Sequence, residues 1–107
     1  MRKIESEMNR AISRNANWSS GNTRVEFNPL NESSKVFLHN NLIAIVARDA
    51  IQLFDGGWQS QTTKSRLNAI LSTFGLAGEH VFAKNFDWYV MMSDGSPIPF
   101  FSSMRLA

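Results

Sequence analysis

The sequence predicts an α+β domain in which two helices pack on an antiparallel sheet of about five to seven strands. Two segments have the apolar spacing of amphipathic helices, and the segments between and after them are short, strand-like and bounded by turn residues. Helices are too few and strands too close together for parallel βαβ units. We therefore expect the order helix, four strands, helix, two or three strands. Residues 1–107 are expected to form a single domain, because this length is typical of one core.

The first helix is predicted over residues 3–15. One helical stripe is formed by the apolar residues Ile4, Met8, Ala11 and Ile12. Arg14 falls in the last turn, where a cation interacts favourably with the helix dipole. Residues 18–22 follow, and their content of serine, glycine and asparagine is typical of a loop.

A meander of four strands is predicted next, over residues 24–28, 35–39, 42–47 and 50–54. The pair Asn40-Asn41 is expected to form a two-residue turn, because asparagine tolerates the positive φ angles of a type I′ hairpin. Leu42–Ala47 is apolar at every position. Such a strand is typically central and covered on both faces, or covered by the core on one face and by a partner chain on the other.

The second helix is predicted over residues 62–74. Its apolar stripe consists of Leu67, Ile70, Leu71 and Phe74. Thr62 or Thr63 is the expected N-cap, and Gly75 is the expected C′ residue after the last turn.

A second hairpin is predicted after this helix, with strands over residues 80–84 and 88–92 and a turn over residues 85–87. Residues 98–101 are expected to add a short strand. Because prolines flank or enter that segment, it belongs at the edge of a sheet.

The absence of cysteine excludes disulfides, thiolate metal sites and cysteine nucleophiles. Small secreted domains usually depend on disulfides, so this composition favours a reducing compartment. The basic start of the chain is followed by charged residues and not by the apolar stretch of a signal peptide. No apolar run approaches the roughly 18 residues that cross a membrane. We therefore expect a soluble, cytoplasmic protein without membrane contact.

Neither a metal site nor a catalytic constellation is predicted. His39 and His80 are far apart in sequence and share no metal-ligand spacing, and the nine carboxylates are scattered. The chain has no GxSxG nucleophile elbow and no phosphate-binding glycine loop. We therefore favour a protein that is not an enzyme and holds no cofactor or metal. A structure that clustered the two histidines with carboxylates would reopen the enzymatic alternative.

A nucleic-acid or anion site is predicted at the start of the second helix, formed by Trp58, Thr62, Thr63, Lys64 and Arg66. The first turn of a helix offers free N–H groups and a positive dipole end, which attract phosphate. Lys64 and Arg66 add positive charge, and the ring of Trp58 could stack a base. The structural alternative is that the hydroxyl groups cap the helix, Trp58 packs in the core, and the two cations are solvated.

Aromatic residues are numerous for a chain of this length, with three tryptophans, one tyrosine and eight phenylalanines. Around residues 86–89 and 99–101 both faces of the predicted strands are apolar. Because a small core lacks room for all of these rings, some are expected at an interface with a second copy of the chain or with another protein. The alternative is a thick core with a few exposed rings, as is normal for globular proteins.

Two blocks of the sequence carry a family resemblance. The first block comprises residues 1–5, Met8, Ile12, Trp18 and residues 21–23. The second block comprises Trp58, residues 62–71, Val81-Phe82 and Trp88-Tyr89. Together they resemble small proteins of tailed bacteriophages, of the T7-like and marine podovirus kind. The resemblance spans most of the chain and implies expression in the host bacterial cytoplasm, but it brings no established activity and no catalytic residue.

The function expected on these grounds is that of a small, non-enzymatic binding module that acts through protein–protein contacts. The expected partner is a host protein or a second copy of the chain, because small phage proteins of the resembling kind often bind host proteins or nucleic acid. The alternative is a nucleic-acid-binding protein that uses the segment Trp58–Arg66.

Overall fold

The computed structural model describes residues 1–106 and confirms the α+β class. The two helices are α1 (Lys3–Ser13) and α2 (Gln61–Phe74). The nine strands of the described chain are β1 (Trp18–Ser20), β2 (Thr23–Asn28), β3 (Ser33–Leu38), β4 (Asn41–Val46), β5 (Ile51–Leu53), β6 (His80–Lys84), β7 (Asp87–Met91), β8 (Pro97–Pro99) and β9 (Met104–Leu106). Both helices lie within two residues of their predicted bounds, and β6 has the predicted bounds.

The strands form two antiparallel sheets rather than one. The first sheet has six strands in the order β1-β2-β3-β4-β5-β9, and the second has three in the order β6-β7-β8. The predicted meander corresponds to β2 through β5. The second sheet is separate because the β6–β7 hairpin pairs with β8 and, within residues 1–106, with no strand of the first sheet.

Two short edge strands differ from the sequence prediction. β1 occupies residues that were expected to form a loop, and it makes a hairpin with β2 around Gly21, whose φ is 53°. β9 pairs with β5 and buries the side chains of Met104 and Leu106. Each strand has three residues, too few for an alternation of apolar and polar residues to stand out.

The two helices pack side by side and run in the same direction. Asn9 Nδ2 donates to the carbonyl oxygen of Ala69 at 2.9 Å and to Thr73 Oγ1 at 3.0 Å. About one turn earlier on both helices, Glu5 contacts Arg66. α1 packs on β1 and β2, and α2 lies between β4 and β6, so one hydrophobic cluster joins the helices to both sheets. Neither helix has the length and apolar character that crossing a bilayer requires.

The turn between β3 and β4 lies one residue earlier than predicted. His39 and Asn40 have φ angles of 51° and 65°, and Asn41 is already the first residue of β4, opposite Leu38. The prediction of a turn at Asn40-Asn41 is therefore wrong. Such a turn would place His39 opposite Leu42 and would shift the whole hairpin out of the register that buries Leu38.

β4 is a central strand, as predicted, between β3 and β5. The register with β3 shifts between Val36 and Phe37, so β4 contains a β-bulge with Ile43 as the extra residue. The bulge allows the consecutive residues Ile43 and Ala44 both to be buried. Leu42, on the outer side, is only half-buried, so the expected cover of both faces is incomplete.

The N-cap of α2 is Ser60, and the prediction of Thr62 or Thr63 is wrong. Ser60 has extended backbone angles, and its Oγ accepts the N–H of Thr63 at 3.1 Å. Thr62 and Thr63 are already helical, so they belong to the turn whose N–H groups need a cap. At the other end of α2, Gly75 is the C-cap residue itself, with φ −82° and ψ 179°.

Candidate functional site

A cavity of about 380 Å³ lies where the β3–β4 hairpin meets the loop that leads from β5 into α2. We call it the α2 cavity, and its lining residues are Leu38, His39, Asn41, Ile43, Asp55, Gly56, Trp58, Ser60, Thr62 and Thr63. The exposed lining is mostly apolar. Three of the five residues predicted to form a binding site therefore meet in one cavity, namely Trp58, Thr62 and Thr63.

The loop before α2 is fixed closely against the hairpin. Gly56 has a φ of 68°, and a Cβ at this position would lie 3.2 Å from Asn41 Cβ and 3.3 Å from Ile43 Cγ2. Asp55 Oδ1 accepts the backbone N–H of Gly57 at 2.8 Å, and Asp55 O accepts the N–H of Trp58 at 3.2 Å. This close approach and these bonds hold one wall of the α2 cavity in place.

The predicted site residues differ widely in exposure. Trp58 is 77% exposed, so the alternative in which it packs in the core is wrong. Thr63 is buried, and its Oγ1 lies 2.9 Å from Ser60 Oγ. Its hydroxyl is therefore hydrogen-bonded within the first turn of α2. Lys64 is half-buried and lies outside the lining of the α2 cavity.

Arg66 lies inside the fold and not on its surface. It is 3% exposed, and its Nη1 is 2.8 Å from Oε2 of Glu5, which is also 3% exposed. Its Nε donates to Thr23 Oγ1 at 3.0 Å, and its Nη2 donates to Asn22 Oδ1 at 3.3 Å. Ser65 adds a further hydrogen bond to the same oxygen of Glu5 at 2.6 Å. The guanidinium therefore joins α2 to α1 and to the start of β2.

The charge of the α2 cavity differs from that of a phosphate site. Among the residues that line it, Asp55 is the one carboxylate, and no lysine or arginine is present. Oδ1 of Asp55 accepts the loop N–H described above, whereas Oδ2 has no partner within residues 1–106. The cavity therefore suits a neutral or hydrogen-bond-donating group better than an anion.

The second sheet carries aromatic side chains on the side that faces away from the core. Its inner face contributes Val81, Trp88 and Val90 to the core. Its outer face, which we call the aromatic face, carries His80, Phe82, Tyr89, Met91, Pro97 and Pro99. The rings of Phe82 and Tyr89 stack with centroids 5.6 Å apart, and the ring of His80 lies 5.7 Å from that of Phe82. These rings form a continuous patch on one surface.

The tip of the β6–β7 hairpin ends in an exposed phenylalanine. Asn85 and Phe86 form a two-residue turn with φ angles of 52° and 69°, and Asp87 already belongs to β7, opposite Lys84. Turns of this kind favour asparagine followed by glycine. A side chain in the left-handed region costs about 1–2 kcal/mol, and the ring of Phe86 is fully exposed. The stability of the fold therefore does not account for Phe86.

The acidic and histidine side chains of the described chain form no metal-binding cluster. Within residues 1–106, no group of three or more His, Cys, Asp or Glu side chains could hold a metal ion. His39 lines the α2 cavity, whereas His80 lies on the aromatic face. The pKa of Asp94 is held below its ordinary value because the hydroxyl and the N–H of Ser96 both donate to its Oδ1. These bonds lie in the exposed turn before β8, and neither Asp94 nor Ser96 lines the α2 cavity.

Sequence comparison supports the resemblance to phage proteins in its broader form. No curated protein and no solved structure matches this chain. The family model described as Kyanoviridae Gp96 protein matches residues 1–107. The Kyanoviridae are myoviruses of cyanobacteria, so the match supports a phage protein but not the narrower T7-like or podovirus assignment. The chain belongs to the Kyanoviridae Gp96 protein family.

Proposed function

We propose that this phage protein is a non-enzymatic binding module that docks another protein on the aromatic face and on Phe86 at its edge. The observation that carries the proposal is Phe86 itself, a fully exposed ring on a strained turn residue. The φ angle costs stability, and the exposed ring gives none in return, so a partner that covers the ring would account for a phenylalanine at this position.

The composition of the aromatic face matches the centre of protein interfaces. Such centres are enriched in aromatic residues and methionine and depleted in charged residues. Phe82, Tyr89 and Met91 follow that pattern, and the nearest charges on the two strands are Lys84 and Asp87, which lie opposite each other. Phe82 and Tyr89 are half-buried and stack on each other, so they are already ordered before a partner arrives.

The charge distribution favours a protein partner over nucleic acid for this face. Nucleic-acid surfaces concentrate lysine and arginine, whereas the charges of Lys84 and Asp87 cancel here. The arginine predicted to contact phosphate, Arg66, is used within the fold. A chain without cysteine also fits a partner met in the reducing cytoplasm of the infected cell.

Comparison of two serine variants tests the proposal. Phe86→Ser and Leu30→Ser each remove one almost fully exposed apolar side chain, but Leu30 lies in the turn between β2 and β3 of the first sheet. The wild type and both variants are used to retain proteins from infected-cell lysate, and sedimentation at micromolar concentration measures self-association. We expect Phe86→Ser to lose the bound protein, or the dimer, that Leu30→Ser keeps.

A third variant tests the aromatic face separately from the hairpin tip. Phe82→Ser should weaken the same interaction, because it removes half of the stacked pair with Tyr89. Circular dichroism spectra and thermal midpoints report whether the variants remain folded. Binding and self-association that are unchanged in both folded variants would overturn the proposal.

A further inference from the structure

We propose that the α2 cavity binds a single nucleobase that carries an exocyclic amino group, stacked on the ring of Trp58. This site lies on the β3–β4 hairpin and the start of α2, whereas the aromatic face belongs to the second sheet. The inference therefore does not depend on the proposed protein partner.

The first argument is the way in which Trp58 is held. Its backbone N–H donates to Asp55 O at 3.2 Å, and its carbonyl oxygen accepts the N–H of Ser60 at 3.0 Å. The other two tryptophans differ, since Trp88 is buried in the core and Trp18 is half-buried. Trp58 thus combines an anchored backbone with an indole that is 77% exposed beside an apolar wall. Such a ring is a stacking surface for a planar group.

The second argument is the size and lining of the α2 cavity. Its volume of about 380 Å³ lies within the range of small-ligand pockets. Leu38 and Ile43 supply apolar wall, and a few polar side chains converge on the same space. That combination, an apolar body with few polar groups, is the pattern of small-molecule sites.

The third argument is the polarity of the groups that line the cavity. Asp55 Oδ2 is an acceptor without a partner in the described chain, and Asn41 offers an amide that can both donate and accept. The hydroxyls of Ser60 and Thr63 are already paired with each other at 2.9 Å. An amino group facing Asp55 and a ring nitrogen or carbonyl facing Asn41 would satisfy these positions. Because no lysine or arginine lines the cavity, a phosphate is expected to stay outside it.

Cytidine and uridine provide the sharpest probes. Cytosine has an amino donor at ring position 4 and an acceptor nitrogen at position 3, whereas uracil has a carbonyl acceptor at position 4 and an N–H donor at position 3. Titration of the full chain with each nucleoside, followed by intrinsic tryptophan fluorescence, should show cytidine binding about tenfold more tightly. That factor corresponds to one hydrogen bond to a charged acceptor. Cytidine monophosphate should bind about as tightly as cytidine.

The variant Asp55→Asn tests the assignment with little change to the loop. The side-chain amide retains an oxygen that can accept the N–H of Gly57, but it replaces the free acceptor by a donor. We expect this variant to lose the preference for cytidine or to favour uridine. Trp58→Ala should abolish binding as measured by calorimetry, whereas Phe101→Ala, which removes an exposed ring outside the lining, should not.

Three results would overturn the inference. The first is no binding of any nucleoside up to millimolar concentration, the second is equal binding of cytidine and uridine by the wild type, and the third is unchanged binding by Trp58→Ala. A cytidine monophosphate affinity that far exceeds that of cytidine and falls steeply with salt would also count against it, because it would indicate a phosphate site.

Discussion

Arg66 Nη1 on α2 lies 2.8 Å from Glu5 Oε2 on α1, and both residues are buried. When one partner of a buried ion pair is removed, the other is left as an uncompensated buried charge. We therefore expect Glu5→Gln to lower the free energy of unfolding by about 3 kcal/mol, measured by urea denaturation.

Glu26→Gln is the matched control for this change. Glu26 also forms an ion pair, with Arg24 at 2.7 Å, but both side chains are substantially exposed. Exposed pairs contribute less than about 1 kcal/mol. Equal losses in the two variants would contradict the structural role assigned to the pair of Glu5 and Arg66.

The side chain of Asn68 pairs with the backbone of β6. Its Nδ2 donates to Val81 O at 2.9 Å, and its Oδ1 accepts the N–H of Val81 at 2.6 Å. Because Val81 is buried, Asn68→Ala should cost about 2 kcal/mol and should speed hydrogen exchange at the Val81 amide. Asn28→Ala, which removes a single bond to an exposed turn N–H, should cost much less. An unchanged exchange rate at the Val81 amide would show that these two bonds do not protect the edge strand β6 from hydrogen exchange.

The start of α2 depends on one hydroxyl. Ser60→Ala should destabilise the protein by about 1 kcal/mol, since it removes the acceptor for the Thr63 N–H. Thr62→Ala should change stability little, because the structure assigns no cap to Thr62. Thermal unfolding of the two variants distinguishes the observed cap from the one that the sequence predicts. A larger loss for Thr62→Ala would reverse the assignment.

Phe86→Gly should increase stability and weaken binding together. Glycine removes the left-handed cost, and after allowance for the greater freedom of an unfolded glycine the expected gain is about 0.5–1 kcal/mol. The same change removes the fully exposed ring at the hairpin tip. A more stable variant that no longer binds its partner would be hard to explain by misfolding. A destabilised variant would show that Phe86 supports the fold.

The regular elements could be predicted from the sequence because their patterns are local. The stripe of Leu67, Ile70 and Leu71 identifies α2, and the bounds of β6 follow from its neighbouring turn residues. The exact turn at His39-Asn40 could not be predicted in this way. By residue type, Asn40-Asn41 fits a two-residue turn at least as well as His39-Asn40 does. The choice between the two turns depends on which strand register buries Leu38.

Only those residues of the candidate site that lie close together in sequence, before and in the first turn of α2, could be predicted. Trp58, Thr62 and Thr63 are close in sequence and line the α2 cavity together. His39 reaches the same cavity from the β3–β4 hairpin, and no sequence spacing connects it with the helix. Asp55 lies on the same loop as Trp58, three residues earlier, but its type alone is equally typical of a turn. The burial of Arg66 depends on Glu5, 61 residues away, so the pattern around α2 carries no indication of it.

The prolines of β8 limit how the second sheet can be approached. Ile98 pairs with Val90, so Pro97 and Pro99 occupy the positions whose nitrogens face the outer edge, where neither has a hydrogen to donate. At the opposite edge, the side chain of Asn68 is already hydrogen-bonded to the backbone N–H and C=O of Val81. Addition of a further strand at β8 is therefore disfavoured, and at β6 it would have to displace a side chain. The second sheet is therefore limited to three strands. It can expose aromatic rings on one face without offering an edge on which copies of the chain could polymerise.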